Sequence, residues 1–361
     1  GLTLDGIGLY FQREQTWWKQ GKAFVDYIAR CQTLLQYGNP VVDIAVFNGE
    51  EIPNRALTPD KVVKLLPELA GKKRLERELN RLSNKGQPMI ESPAGVFHAA
   101  NILKAEDWIN PLNGYAYDTF NREALLSSVA EDGKLKPAGG LMYNVLVLNQ
   151  SPEQPFSDKI NQKISELEKA GVQVIKNSKY TDIIKPDIIV PENIAWTHRT
   201  GTEGDVYFIS NQENNTRDIE LTLRCIAKEI TVWDPVTAVV ESVDHLSVTE
   251  NQSGIKLCLA PYQSVFVVCS DSDFKSCKAP VSKPVSTCLN LKWTVEFLKN
   301  GQKAASTELF DWSKHDNPLI RFYSGTALYK SSFTWLNTQT KALLNLGKVC
   351  NLAGVSINGI D

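Results

Sequence analysis

The chain has 361 residues, more than the roughly 250–300 over which one hydrophobic core usually keeps growing, so two or three domains are expected. Its 42% hydrophobic and 22% charged content is ordinary for a globular protein, and a formal net charge of −2 without a Lys/Arg stripe excludes a nucleic-acid footprint. No apolar run is long enough for a membrane span, and no targeting pattern stands at the N-terminus.

The first segment, DGIGLYFQREQTWW, crowds Tyr10, Phe11, Arg13, Glu14, Trp17 and Trp18 into nine positions. Aromatic faces beside Arg and Glu suit a pyranose, which offers apolar C–H faces and a rim of hydroxyls. The plainer alternative is that Trp17 and Trp18 plug the top of a core. Thr16 is a competent N-cap for a helix in which Trp17, Phe24, Tyr27, Ile28, Leu34 and Leu35 fall near helical spacing; Gly38 closes it and Pro40 stops it. VVDIAVFNGE reads as a buried parallel strand. Thr58 and Pro59 open a second helix, and 72–84 form a charged one whose Lys72-Lys73-Arg74 start is a solvated face.

Residues 85–113 lack periodicity and read as an irregular excursion. Phe120–Val129 reads as helix and Gly140–Asn149 as a second buried strand. Asp158–Ala170 is an amphipathic helix with Ile160, Ile164 and Leu167 on one face, and VQVIK is a third strand. Strand–helix alternation over 41–190 predicts an open parallel α/β domain. It has no GxGxxG or GxxxxGK[ST], and Ala138-Gly139-Gly140 precedes a strand instead of opening a helix, so no phosphate cradle is expected.

From Ile194 the pattern changes to short alternating strands separated by turn clusters, as in WTHRTGTEGDVYFISNQENNTRDIELTLR and IKLCLAPYQSVFVVCS. Residues 271–287 are a polar, Pro-containing linker, and a second β-unit starts at Leu289, with FYSGTALYKSSFTW, ALLNLGKVC and AGVSINGI as further strands. Seven irregularly spaced cysteines make no disulfide framework. Cys225, Cys258 and Cys269 lie in apolar strands and read as buried small hydrophobes, while Cys277 and Cys288 flank the linker closely enough to pair. Without CxxC, and with four scattered histidines, a zinc site is not expected.

YFQREQTWW, AFVDYIARCQTLLQYG and PVVDIAVFNGEEIP together resemble the bacterial α-L-rhamnosidases of glycoside hydrolase family 106, as do HRTGTEGDVYFISNQ, ITVWDPVTA, LAPYQSVFVV and FYSGTALYKSSF. The resemblance implies a multidomain chain of α/β plus all-β parts. Residues 1–39 would be the last loop and helix of a truncated (β/α)8 barrel and 40–192 a flavodoxin-like α/β domain. Residues 193–270 would be an antiparallel β-sandwich, 271–287 a linker and 288–361 an incomplete galactose-binding-like jelly roll. It also implies a periplasmic or extracellular location, a carbohydrate substrate, calcium in the complete enzyme, and inverting hydrolysis of terminal rhamnose. Inversion needs an acid and a base about 6.5–9.5 Å apart. Most barrel carboxylates would lie upstream of Gly1, so this chain alone is expected to be inactive.

Barrel sites are built by loops at the C-terminal strand ends. Tyr10, Arg13, Trp17 and Trp18 would therefore line the sugar site, with His198 reaching over from the β-domain. Where the family carries a His-Phe-Asn-Arg-Asn-type loop, this chain reads Tyr10-Phe11-Gln12-Arg13-Glu14. Glu14 and Glu50 are the carboxylate candidates; Glu50 and Glu51, adjacent on an extended strand, would point to opposite faces. Asp118 or Thr119 would cap a helix, and Trp233-Asp234-Pro235 would form a strand end and tight turn. The alternative function is a non-catalytic carbohydrate-binding or domain-docking scaffold, motivated by Trp293, Trp312 and Trp335 as exposed platforms.

Overall fold

The computed structural model of the chain describes residues 13, 15, 17–50, 57, 59–82, 110–150, 155–176, 184–249, 251–272, 277–278, 287–335, 344–347, 349 and 352–360. The chain divides into two compact units, Gly1–Ala279 and Pro280–Asp361. In the first unit, a single 3-10 turn (Trp18–Gln20) leads into helix α1 (Gly21–Leu35), followed by the short strand β1 (Asn39–Pro40). The helix starts later than expected, and Gln20 precedes it without a side-chain cap; Thr16 lies outside the described residues.

An α/β layer follows: β2 (Ile44–Phe47), α2 (Pro59–Leu65), α3 (Lys72–Leu82), β3 (Tyr117–Phe120), α4 (Arg122–Ser127), β4 (Val129–Glu131), β5 (Lys134–Lys136), β6 (Val145–Leu148), α5 (Asp158–Lys169) and β7 (Gln173–Ile175). The four-stranded sheet has the order β3-β2-β6-β7 with every pairing parallel. Both faces are covered, which is why Ile44–Phe47 and Val145–Leu148 are apolar without alternation. Val62 of α2 and Leu66 just beyond it pack on one face, and Leu125 of α4 with Ile160, Ile164 and Leu167 of α5 pack on the other.

Two local elements differ from the sequence expectation. The stretch from Phe120 to Val129 is helical only over Arg122–Ser127, because Phe120 closes β3 and Val129 opens the β4–β5 hairpin. Asn121 caps α4, its Oδ1 accepting the Ala124 N–H at 2.9 Å, whereas Asp118 accepts a hydrogen bond from the Tyr143 hydroxyl.

The rest of the unit is a β-sandwich: β8 (Ile188–Ile189), β9 (Ile194–Gly201), β10 (Gly204–Asn211), β11 (Arg217–Leu223), β12 (Glu229–Trp233), β13 (Val240–Ser242), β14 (His245–Val248), β15 (Ser253–Leu259), β16 (Ser264–Ser270) and β17 (Cys277–Lys278). One sheet runs β1-β9-β10-β16-β12-β13-β17 and the other β14-β15-β11-β8. Tyr207, Ile209, Val265 and Val267 of the first sheet meet Ile219, Leu221, Ile255 and Leu257 of the second. The outer side of β10 and β16 is covered in turn by α1, whose Tyr27, Cys31, Leu34 and Leu35 contact Val206, Phe266 and Val268. Strand β16 is therefore apolar on both sides, and its sequence SVFVVCS shows no alternation.

Two devices dock α1. Arg199 donates to the Tyr37 and Gly38 carbonyls at the helix end, and the Tyr37 hydroxyl accepts the Glu203 N–H at 2.7 Å. Gly38 has φ +50°, and a Cβ there would overlap the Thr200 carbonyl, so the chain turns into β1 only with glycine. The Asp234 carboxylate accepts the Val236 N–H at 2.7 Å, making the tight turn expected after Trp233.

The second unit contains β18 (Trp293–Phe297), β19 (Lys303–Ser306), α6 (Pro318–Arg321) and β20 (Ala327–Lys330), in a three-stranded sheet β19-β18-β20. Its small core gathers Val295, Phe297 and Ile320, with Trp293 edge-on to Tyr329 and Trp312 edge-on to Phe297. Two of the three proposed platforms are thus packing elements, while Trp335 is exposed. Residues 352–360 form no strand beyond a single bridge between Ile357 and Ile360, contrary to the strand expected there.

Cysteine usage also differs from the sequence reading. Cys225 and Cys269 are buried but joined in a disulfide that ties the two sheets together, and Cys258 is exposed on an outer face. Cys288 is a free thiol, and the Cys277 side chain lies outside the described residues. The bridge closes a segment with a sequence separation of 44. The chain-entropy relation gives about 4 kcal/mol for a loop of this size. Urea denaturation of the C225A/C269A double variant should show a loss of that order; unchanged stability would contradict a bridge.

Candidate functional site

Among the described residues of the first unit, three places carry polar chemistry. At the start of α1, Arg13 and Trp18 are exposed and Trp17 is half-buried. The Trp17 and Trp18 rings lie 6.4 Å apart at 45°, and Trp17 folds back against Gly21, where a Cβ would meet its ring at 3.2 Å. Tyr10, Phe11 and Glu14 lie outside the described residues.

The second place is the C-terminal edge of the parallel sheet, between β2 and β6, where the strand order changes direction. Open α/β sheets commonly bind ligands in that crevice, often with an anion on a helix N-terminus. Here the anion is the chain's own. Glu50 lies in the loop beyond β2 and accepts the Ser157 N–H at 2.7 Å, the Ser157 hydroxyl at 2.8 Å and Arg122 Nε at 3.2 Å. Burial pushes its carboxyl up, but the Ser157 N–H and hydroxyl together with Arg122 outweigh this and leave its pKa below the ordinary value. Asn149 and Asn48 are hydrogen-bonded across the same strand ends at 3.0 Å. Glu50 is therefore occupied with holding α5; Glu51 lies outside the described residues.

The third place was absent from the sequence reading apart from His198, and among the described residues it is the most heavily charged interior region. His198 points inward from β9 with its side chain 3% exposed. Its Nδ1 lies 2.9 and 3.1 Å from the two Asp187 oxygens, and its Nε2 lies 3.2 Å from Asp205. The ring stacks on Tyr207, with centroids 3.8 Å apart and planes 13° apart. Asp187, 1% exposed, also accepts from Arg224 Nε and from the Tyr207 hydroxyl. Arg224 then reaches Asp43, just ahead of β2, through two nitrogens at 3.2 and 2.8 Å, and Asn144 donates to the same carboxylate.

The Asp187 backbone sits in the same junction. Its N–H donates to the Gly114 carbonyl in the α/β layer, and its carbonyl accepts the Arg224 N–H in the sandwich. Both nitrogens of His198 face carboxylates, so the ring offers no edge to a sugar hydroxyl. This corrects its expected role as a residue reaching toward substrate. The other four charged members carried one readable signal: Asp43 and Arg224 interrupt apolar runs, VVDIAVF and LTLRCIA, and Asp187 and Asp205 stand at the head of such runs, in KPDIIV and GDVYF.

Two clefts flank Arg224. The larger, about 480 Å³, is lined by Asp43, Asn144, Thr200, Leu141 and Met142. Among the described residues no group of three His, Cys, Asp or Glu side chains is arranged to hold a metal ion. The acidic groups of the junction are already engaged by His198 and Arg224, so they do not fit the calcium that the resemblance implies for a complete enzyme. No helix among the described residues is long and apolar enough to cross a membrane.

Comparison with known proteins bears on these geometries. An α-L-rhamnosidase family, glycoside hydrolase family 106, matches residues 1–70 and 177–247. A protein of Formosa agariphila provisionally named a beta-glucuronidase is 29% identical over 315 residues, covering 81% of this chain and 24% of that protein. The solved structure of a rhamnosidase from Novosphingobium sp. PP1Y has a similar fold, with a TM-score of 0.61 at 19% identity, over 91% of this chain and 32% of that one. The chain therefore spans about a quarter of the first relative and a third of the second. The two matched segments contain α1 and all five charged members of the junction: Asp43, Asp187, His198, Asp205 and Arg224.

Removing one partner from a buried ion network leaves uncompensated charge and costs about 3–5 kcal/mol. Asp187→Asn should lower unfolding stability by that order in chemical denaturation, whereas a loss under about 1 kcal/mol, the range of exposed pairs, would show that the junction is not desolvated.

Proposed function

Because this chain is α-L-rhamnosidase-like, we propose that it is the C-terminal scaffold of a larger glycoside hydrolase and supplies one wall of that enzyme's sugar site. The observation carrying this reading is the exposed apolar start of α1. Trp18, in the turn before the helix, and Phe24, Val25 and Ile28, in its first half, are exposed directly after the aromatic–Arg segment, while the later residues Cys31, Leu34 and Leu35 pack on the sandwich. An isolated helix of this kind would leave a contiguous apolar strip in water, which suits burial against further protein. The covering protein, in this reading, is the catalytic (β/α)8 barrel, with α1 as its last helix.

Tyr10, Arg13, Trp17 and Trp18 then line the barrel mouth. The aromatic rings stack on sugar C–H faces, and the planar Arg13 fork takes hydroxyls or orients a carboxylate. The reaction is inverting hydrolysis of a terminal rhamnoside, with acid and base about 6.5–9.5 Å apart. We assign at least one of the two, and the calcium ligands, to barrel strands outside this chain, with Glu14 as the candidate within it. The β3-β2-β6-β7 layer serves as a flavodoxin-like spacer whose ligand crevice is filled by Glu50. The second unit serves as part of a galactose-binding-like jelly roll. A location outside the cytoplasm fits the buried Cys225–Cys269 bridge. The alternative, a carbohydrate-binding module built on Trp293, Trp312 and Trp335, keeps only Trp335 as an exposed platform.

The test compares the 361-residue chain with a form extended upstream by a barrel's length, on aryl α-L-rhamnoside and aryl β-D-glucuronide. We expect rhamnoside cleavage with inverted product by the extended form and none by the short chain. Cleavage of the glucuronide alone would overturn the sugar assignment, and turnover by the short chain would overturn the scaffold reading.

A further inference from the structure

A neutral imidazole carries one N–H donor and one lone pair. At His198 both ring nitrogens face carboxylate oxygens, Asp187 on one side and Asp205 on the other. A neutral ring would therefore point a lone pair at an anion, whichever tautomer it adopted. Only the imidazolium donates to both. Its charge also suits the flat Tyr207 ring stacked at 3.8 Å, a cation–π arrangement.

The surrounding elements fix what that charge controls. Asp187 comes from the segment before β8, Asp205 and Tyr207 from β10, Arg224 from the end of β11, and Asp43 from the start of β2. Three carboxylates thus face two cations when His198 is charged, and one cation when it is neutral. Losing the imidazolium leaves Arg224 shared between Asp43 and Asp187 with excess negative charge at the seam between the α/β layer and the sandwich.

We propose that this seam is an alkaline-labile latch: His198 stays doubly protonated through neutral pH, and in that form alone it clamps the two layers together. Burial by itself would lower the imidazole pKa, but the hydrogen bonds and charges of Asp187 and Asp205 outweigh it and raise it above the ordinary 6.5. The stabilisation is then complete below pH 6.5 and is lost as pH rises through the folded-state value. Asp205 works in the opposite sense. Burial pushes its carboxyl up, yet His198, Thr200 and Arg224 hold it below 3.8, so its contribution is present above that pH and is lost on acidification. The latch is closed in the window between these limits.

The test is histidine-selective ¹⁵N NMR of the full chain across pH 5–10. His198 should show both ring nitrogens protonated at pH 7, with its midpoint above the ordinary imidazole value of about 6.5. In Asp205→Asn, which removes a partly exposed acceptor, the midpoint should fall. Hydrogen exchange should show amides at Asp187, Ile188 and Arg224 losing protection above the His198 midpoint, beyond the intrinsic rise with pH, before Leu146–Leu148 do. A neutral His198 tautomer at pH 7, a midpoint unmoved by Asp205→Asn, or simultaneous loss of protection everywhere would each overturn the latch.

Discussion

One buried carboxylate constrains the first unit more than any other side chain. Asp187 holds His198 and Arg224 with its two oxygens while its backbone bonds to Gly114 on one side and Arg224 on the other. Desolvating these charges costs several kcal/mol per ion, so the arrangement stands only because nearly every donor and acceptor is matched. Apolar contacts alone would hold the layers together without fixing their register. The ion network has one geometry, and it requires β2, β8, β9, β10 and the end of β11 to be placed as they are.

The docking of α1 depends on the same hairpin. His198 faces the interior, while its neighbour Arg199 projects to the opposite face of β9 and binds the carbonyls at the end of α1. Strand alternation thus lets two adjacent residues perform two different attachments, one to Asp187 at the seam and one to the helix. Gly38 and the glycines of the β9–β10 turn permit the close approach. The HRTGTEG stretch, read from sequence as a family signature, acquires a physical meaning: it joins three layers. It also connects fold to proposed function, because the segment carrying Arg13, Trp17 and Trp18 is oriented by α1.

The parallel sheet was legible because its strands are buried on both faces and its helices carry Ile160, Ile164 and Leu167 at helical spacing. The change to antiparallel strands near Ile194 was equally readable from alternation and turn clusters. β3 was missed because YDTF is short and half-buried, and the β4–β5 hairpin because it is built from three-residue strands. The disulfide was missed because Cys225 and Cys269 each look like ordinary apolar strand residues; only the sheet packing brings them together. His198 was singled out for a reason that the structure replaces. Its partners were missed because ion networks between distant segments have no spacing rule, although a charged residue inside or at the head of an apolar run is the trace they leave.

The charged seam couples the α/β layer to the sandwich, and a double-mutant cycle on Asp43→Asn and Arg224→Met measures that coupling. These two residues are 181 positions apart and meet only across the seam. A coupling of at least about 1.5 kcal/mol in unfolding stability is expected, within the range for residues of one buried network. Additive effects, within about 0.5 kcal/mol, would contradict it.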